Sequence, residues 1–338
     1  MKEAIVDPDL EIRIVDSPTP EPNADQVIIR VIVSGTNPKD WKMAHLFKMS
    51  ANSGDDIAGI VHKIGAHVTE FKPGDRVAAL HMPGEAHGSY AEYAVSWAHT
   101  TFHLPNHISF EEGATIPLAA LTAAAGLYLH LNLTEPWCPR VEAGPMPLVI
   151  YGASSAVGAY AVQLARQSNI HPLICVAGKS QGYVESLIDR SKGDTVLDYR
   201  EGDLANNIEK SVGANRLSHV FEAVSADGND EILLQALGSG GKVAWILQSF
   251  EKTYPVREDV EQTHTNMLRL FAENKDFGHA MSRHLSRALQ GGNFKPHPHK
   301  VVEGGLSGLQ LALSNLMKGK ASGFKYVIRI NETEGLGF

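Results

Sequence analysis

From residue 147 onward short apolar runs alternate with helical stretches, and this rhythm constrains the fold more than any other feature of the chain. "PLVIYG" (147–152) leads into a helical segment at 154–168, and "HPLICVAG" (171–178) leads into another at about 181–191. "DTVLDY" (194–199), "SHVFEAV" (218–224), a helix at about 229–237 and "GKVAWIL" (241–247) continue the series. Continuously apolar strands separated by helices pack as a parallel sheet covered on both faces. The first third reads differently. There "QVIIRVIVSG" (26–35), "GIVHKIG" (59–65) and "DRVAAL" (75–80) are short β-type runs divided by Pro and Gly turns, which predicts a β-rich lobe. From about 259 to 320 the pattern predicts helix, through "VEQTHTNMLRLFAEN" and "GLSGLQLALSNLMKGKA", and "FKYVIRI" (324–330) closes the chain as a strand. At 338 residues there is room for two domains.

Charge and cysteine content remove several function classes. Thirty Lys and Arg against 38 Asp and Glu leave a net charge of −8, the wrong sign for a protein that neutralises phosphate backbones, so no nucleic-acid partner is expected. Cys138 and Cys175 permit one disulfide at most and no all-cysteine zinc cluster, which suits a reducing, cytoplasmic setting. The start, Met1 to Asp7, lacks the apolar stretch of a secretory leader. Ile116 to Leu133 is interrupted by Thr122, Tyr128, His130 and Asn132, short of the ~20 apolar residues of a membrane span, and predicts a buried helix. The sixteen histidines are mostly solitary. The one close couple, His297 and His299, lacks a nearby third ligand, so no metal site is expected.

The segment "YGASSAVGAYAVQLARQ" (151–167) follows a strand directly and opens a helix, the context of a dinucleotide cradle. Gly152 allows the tight turn, and Ala153, Ser154 and Ser155 are small enough for the backbone to approach a pyrophosphate. Ala156 and Val157 start the helix whose N-terminus faces the anion, and Gly158 with Ala161 lets that helix close on its strand. Ala156 stands where such motifs often have Gly. An NAD site usually has a carboxylate about 20 residues further on, for the ribose 2′-hydroxyl. Here the position 21 residues after Gly158 is Lys179, followed by Ser180, and the third strand ends Asp198-Tyr199-Arg200. Two cations and a phenol at neighbouring strand ends predict NADPH; solvated loop charge is the plainer alternative for each.

With these residues in place, the chain resembles the medium-chain dehydrogenase/reductase superfamily over nearly its whole length. "SGTNPKDWK" (34–42), "GDDIAGIVHKIG" (54–65), "FKPGDRVAAL" (71–80) with "GSYAEYAV" (88–95), and the cradle carry the resemblance. "NPKDWK", "PLAALTAAAGL" (117–127) and "LIDRSKGDTVLDYR" (187–200) look most like the zinc-free quinone oxidoreductase and enoyl reductase branch, particularly fungal stand-alone enoyl reductases of polyketide pathways. The resemblance implies an α/β protein: a GroES-like β-rich substrate lobe, 1–120 rejoined by 285–338, and a Rossmann-type doubly wound parallel sheet at 121–284 that binds NADP(H).

Zinc alcohol dehydrogenases of the superfamily carry a Cys in the loop matching 34–40 and a His-Glu pair in the motif matching Gly54 to Gly59. Here those places hold Thr36 and Asn37, and Asp55-Asp56, a poor zinc set. Without a Lewis acid, reduction of an activated C=C bond is the expected chemistry, with hydride adding at the β-carbon and hydrogen-bond donors holding the enolate. The resemblance implies that Asn37 and Thr122 sit near the nicotinamide. It makes Lys42 a candidate to orient substrate or stabilise enolate oxygen, with Asp40 orienting Lys42. No proton donor stands out besides water. "QSFEKTYPVREDVEQTHTNMLRLF" (248–271) follows the fifth strand, where such segments line ligand crevices, so Gln248, Ser249, Phe250, His264 and Met267 are expected at a substrate pocket. The expected substrate is a small or carrier-tethered enone or enoyl compound, with a polyketide synthase as partner and no membrane association. The alternatives are an NADPH:quinone oxidoreductase and a catalytically idle NADPH-binding sensor or structural protein.

Overall fold

The computed structural model describes residues 1–141, 144–224, 228–246 and 253–336. Two compact units emerge: Met1–Leu121 with Leu268–Phe338, and Thr122–Met267.

The first unit opens with an antiparallel ribbon, β1 (Lys2–Val6) and β2 (Ile12–Asp16), followed by β3 (Gln26–Gly35), whose alternating Val and Ile are almost all buried. Helix α1 (Pro38–Phe47) starts where the sequence stops favouring strand. Asn37 is extended, Pro38 supplies a preset φ at the first helical position, and Asp40 lies in the first turn. Strands β4 (Asp56–Ile64), β5 (Arg76–Leu80), β6 (Tyr93–Trp97) and β7 (Thr101–His103) follow, then α2 (Phe110–Gly113) and α3 (Pro117–Ala124). The chain passes into the second unit within α3, which continues as a π-helical turn at Ala125–His130. The apolar run Phe110–His130 is long enough to cross a membrane, yet 83% of its most apolar window is buried inside the protein, as a core helix would be.

The second unit alternates strand and helix: β8 (Leu148–Tyr151), α4 (Ala156–Gln167), β9 (Leu173–Ala177), α5 (Gln181–Glu185), β10 (Thr195–Asp198), α6 (Leu204–Val212), β11 (His219–Glu222), α7 (Asp230–Ala236), β12 (Lys242–Trp245) and β13 (Glu261–His264). All six strands are parallel in the order β10-β9-β8-β11-β12-β13. Numbered within the sheet this is 3-2-1-4-5-6, the doubly wound arrangement whose strand order reverses beside its first strand. Every residue of β8 and β9 is buried, as strands covered on both faces must be. Helix α6, absent from the sequence reading, turns Leu204, Ile208 and Val212 inward at helical spacing behind an Asp203 cap.

The chain then returns to the first unit with α8 (Lys275–Gln290), β14 (His299–Val302), α9 (Leu309–Met317) and β15 (Lys325–Arg329). Its larger sheet runs β14-β15-β3-β4-β5-β7, with β6 also paired to β3.

Two expectations need correction. The return comes at Leu268 and not at 285, because α8 belongs to the first unit. Arg283 donates to the carbonyls of Thr101 (2.6 Å) and Ala98 (3.1 Å) and pairs with Glu70 at 2.7 Å, while Ser282 Oγ donates to the His99 carbonyl. The stretch expected to be helical from about 259 begins as a strand. Glu261–His264 fills the open edge of β12, with Glu261 opposite Lys242 and their charges 2.8 Å apart.

Candidate active site

The densest polar chemistry in the first unit is a set of buried charges between the end of β3, the start of α1 and the start of β4. Asp56 is its hub. One carboxylate oxygen accepts the Leu118 N–H at 2.6 Å, and the other accepts Asn37 Nδ2 at 2.8 Å and meets the ammonium of Lys325. Leu118 lies in the first turn of α3, so the carboxylate sits where the helix dipole favours an anion. Thr122, 6% exposed, is one turn further along the same helix. Lys325, on β15, is 269 residues from Asp56 in sequence and is also buried.

Asp55 and Asp40 form a second group around Lys39. Lys39 Nζ lies 2.6 Å from Asp55 Oδ2 and 3.1 Å from Asp40 Oδ1, and donates to the Ser53 carbonyl at 2.5 Å. Asp40 also accepts the Tyr90 hydroxyl at 2.5 Å and the Asn37 N–H at 2.6 Å. Burial pushes both carboxyls up to about 6, against the pull of Lys39. Burial opposes the ammonium too, but Asp55 and Asp40 outweigh it and hold Lys39 above the ordinary lysine value, so it stays charged. Burial and the adjoining Asp40 raise the Tyr90 phenol far enough that it remains a donor. His297, buried and facing the Lys325 charge, is lowered to about 3 and is neutral.

The second unit holds the glycine turn. Gly152 has φ +76°, a left-handed conformation that glycine adopts without strain. Ser155 caps α4, accepting the Gly158 N–H at 3.0 Å, and the other first-turn N–H groups have no acceptor within the helix by its geometry. A Cβ at Gly158 would stand 2.3 Å from the Gly152 carbonyl oxygen, so only glycine lets the helix start this close to the strand. This is a cradle that a phosphate group fits. Ser154, Ala156 and Val157 are partly exposed around it. At the next strand end Lys179 is exposed, and Ser180 precedes α5. The half-exposed Tyr199 ring lies over Gly178, where a Cβ would meet its Cε1 at 2.8 Å.

Several expected residues take different places. Arg200 is not a loose second cation: its Nε and Nη2 grip both oxygens of Asp198 at 2.8 and 2.5 Å, and that contact holds the carboxyl down at about 2. Asp40 meets Lys39, three residues before the Lys42 it was expected to orient, while Lys42 is half-buried further along α1. His264 ends β13 in an aromatic stack, its ring 4.9 Å from Tyr254, which lies 4.6 Å from Trp245. Met267 begins a short 3-10 turn. Gln248, Ser249 and Phe250 fall outside the described residues. Sequence reasoning missed Lys39, Tyr90 and Lys325 altogether. Lys39 stood inside the quoted "NPKDWK" beside Asp40; nothing local marks Lys325.

Known proteins place this geometry. Residues 23–106 match the alcohol dehydrogenase GroES-like domain. The chain is 44% identical over 309 residues to a Gibberella fujikuroi protein described as trans-enoyl reductase fsr4, covering 90% of this chain and 91% of that one. It is 30% identical to trans-enoyl reductase ACTTS2 of Alternaria alternata, over 95% of this chain and 96% of the relative. Among solved structures, an alcohol dehydrogenase superfamily protein from Novosphingobium aromaticivorans superposes with a TM-score of 0.82 at 21% identity, over 97% of this chain and 99% of that one. Fold and site together define a medium-chain dehydrogenase/reductase, a class of nicotinamide-dependent oxidoreductases, and within it the chain belongs to the family of stand-alone enoyl reductases.

Proposed function

We propose that the protein is an NADPH-dependent, zinc-independent reductase of an activated C=C bond, in an enoyl thioester or enone, acting on substrate tethered to a polyketide synthase. The observation that carries this reading is the pairing of Asp55 with Lys39 and of Asp56 with Lys325. The positions that match the zinc ligands of alcohol dehydrogenases hold Thr36 and Asn37 in the loop and, in the His-Glu motif, Asp55 and Asp56, carboxylates already neutralised by the chain's own ammonium groups, a donor set suited to ion pairs and unsuited to zinc. A carbonyl–alcohol reaction would lack its Lewis acid there, whereas conjugate reduction needs only hydride and a place for enolate charge.

The glycine turn at 152–158 would hold the pyrophosphate, Lys179 with Ser180 and Tyr199 the 2′-phosphate end, and a reduced nicotinamide supplies hydride when bound. Arg200 would join them only by leaving Asp198. Asn37 is held by Asp56 through its side-chain amide, and Thr122 rides on the helix whose first turn the same carboxylate accepts. Each is suited to orient the reacting ring, Asn37 through the hold of Asp56 on its amide and Thr122 through the helix that bears it. The free thiols Cys138 and Cys175 fit a reducing, cytoplasmic setting. The test is turnover of NADPH and of NADH with enoyl thioesters, enones and quinones. Fast, NADPH-selective loss with the thioester supports the reading; turnover of quinones alone would replace it with a quinone reductase, and no turnover with an idle binding protein.

A further inference from the structure

Between β5 and β6 the first unit carries the loop "HMPGEAHG" (81–88), which lines, with Val95 and Trp97 of β6, a cavity of about 400 Å³. That volume lies within the range of small-molecule sites. Two histidines shape it. His81 is 2% exposed, with Nδ1 2.7 Å from the Val95 carbonyl oxygen and Nε2 3.1 Å from that of Glu85, so its ring ties the loop to the strand. Burial holds the ring below the ordinary histidine value against the pull of both carbonyls, and it is neutral near pH 7. His87 has φ +69°, a left-handed conformation uncommon for a residue with a side chain, and its carbonyl accepts the Val95 N–H at 3.0 Å. Its Nδ1 is buried and has no hydrogen-bond partner among the described residues. A buried ring nitrogen with nothing to bond, on a strained backbone in a cavity wall, calls for a ligand more than for a place in a finished core.

Besides the histidines, the titratable side chains lining the cavity are Glu21 and Glu85. Glu21 is exposed and already meets Lys63 at 2.6 Å, and Lys275 stands 5.5 Å from the centre of the Trp97 ring. Glu85, two residues before His87, is exposed and has no ion-pair partner among the described residues. Met82, Val95 and the Trp97 indole give the same cavity an apolar side. An uncommitted carboxylate, an unpartnered ring nitrogen and an apolar wall together match a flat hydrocarbon body that ends in an ammonium group. We propose that this cavity binds a small organic cation, a primary amine on an aromatic body. Its ammonium donates to the Glu85 carboxylate and to Nδ1 of His87, whose own proton is then on Nε2, and its ring lies against Met82, Val95 and Trp97. An anion would be repelled by Glu85, and a neutral analogue would lose the charge-assisted bond. The site lies wholly within the first unit and does not depend on the enoyl-reductase reading.

The experiment is calorimetric titration of the full chain at pH 7.5 and low salt with three probes that share one ring: tryptamine, tryptophol and indole-3-propionate, which end in an ammonium, a hydroxyl and a carboxylate. Tryptamine should bind with a Kd of about 1 mM or tighter, the affinity that a ligand of this size reaches at ordinary efficiency. Tryptophol should bind at least about tenfold more weakly, and indole-3-propionate should give no heat of binding. Glu85→Gln keeps the shape of an exposed side chain and removes its charge, and should weaken tryptamine by about five- to tenfold with the melting temperature unchanged. His87→Asn retains a residue that tolerates the left-handed backbone while withdrawing the ring nitrogen, and should weaken tryptamine by a similar factor. If His87→Asn fails to fold, Glu85→Gln carries the test by itself. Absence of tryptamine binding to the wild type, equal binding of tryptophol or indole-3-propionate, or wild-type affinity in a folded variant of either residue overturns the proposal.

Discussion

The two units solve the problem of handling charge in opposite ways. The first gathers the buried Asp40, Asp55, Asp56 and Lys325 with the partly buried Lys39, and Lys39–Asp55 and Lys325–Asp56 join residues distant in sequence. In the second, the arginine pairs sit at the rim: Arg200 with Asp198 and Arg190 with Glu185 have arginines 41% and 57% exposed, and the site presents backbone and small side chains. Buried ion pairs cost desolvation and are costly to break singly. A turn of glycine and serine costs little and depends on shape. The first unit should therefore be sensitive to the removal of a charge, and the second to the addition of an atom.

Gly158→Ala breaks the second half of that statement most sharply. The added Cβ would lie 2.3 Å from the Gly152 carbonyl oxygen, and overpacking of about 3 kcal/mol is about a hundredfold in affinity. Fluorescence titration should show NADPH affinity falling by on the order of 100-fold; retained affinity would mean that the turn does not hold the nucleotide. Lys179→Ala tests the one exposed charge assigned a role there. NADPH binding should weaken by roughly 1.5–3 kcal/mol, or about 10- to 150-fold, with little change for NADH. Equal losses for both would reduce Lys179 to solvated loop charge.

Thr122→Val keeps volume and removes a hydroxyl. If the hydroxyl orients the ring, kcat should fall roughly ten- to a hundredfold, since about 1 Å of misplacement costs ~10²-fold, while NADPH affinity changes by less than threefold. Unchanged turnover would make Thr122 part of the core and nothing more.

Acid separates the units by a smaller amount. His219, in the second, is lowered to about 4 chiefly by burial. Between about pH 6.5 and 4 the unfolded chain therefore binds a proton that the folded one does not, and stability falls as pH drops. In the first unit His99 and His297 act in the same direction, at about 4 and 3, but Asp40 and Asp55, held up at about 6, bind protons in the fold and oppose them as pH drops from about 6 to 4. His219→Phe should remove on the order of 1 kcal/mol of the stability difference between pH 7 and pH 5 in denaturant titrations. No change would place His219 in water. The smallest effect expected is none at all: dialysis against chelator should leave turnover unaltered, and one tightly held zinc per chain would show that lysines do not occupy these carboxylates in solution.

How much of this was legible in the chain follows from the same contrast. The parallel sheet, the glycine turn and its helix were readable because each depends on a few consecutive residues: β8 and β9 are apolar throughout, and Gly152 is where a left-handed turn must come. Glu261–His264 was misread as helix because its polar residues follow neither period, and pairing with β12 decided its state. Arg200 looked like a ligand-binding cation because sequence shows a residue's charge and hides the partner that offsets it.

Local chemistry written within a dozen residues, the turns, caps and apolar runs, was determined by the sequence on its own, because the backbone angles involved answer to immediate neighbours. The charge network was settled by tertiary structure alone. Asp56 and Lys325 are 269 positions apart, and Asp40 and Tyr90 are 50, so which ammonium or phenol meets which carboxylate depended on strands and loops brought together by the whole sheet. The strength of each contact, in turn, depended on how much water that packing removed.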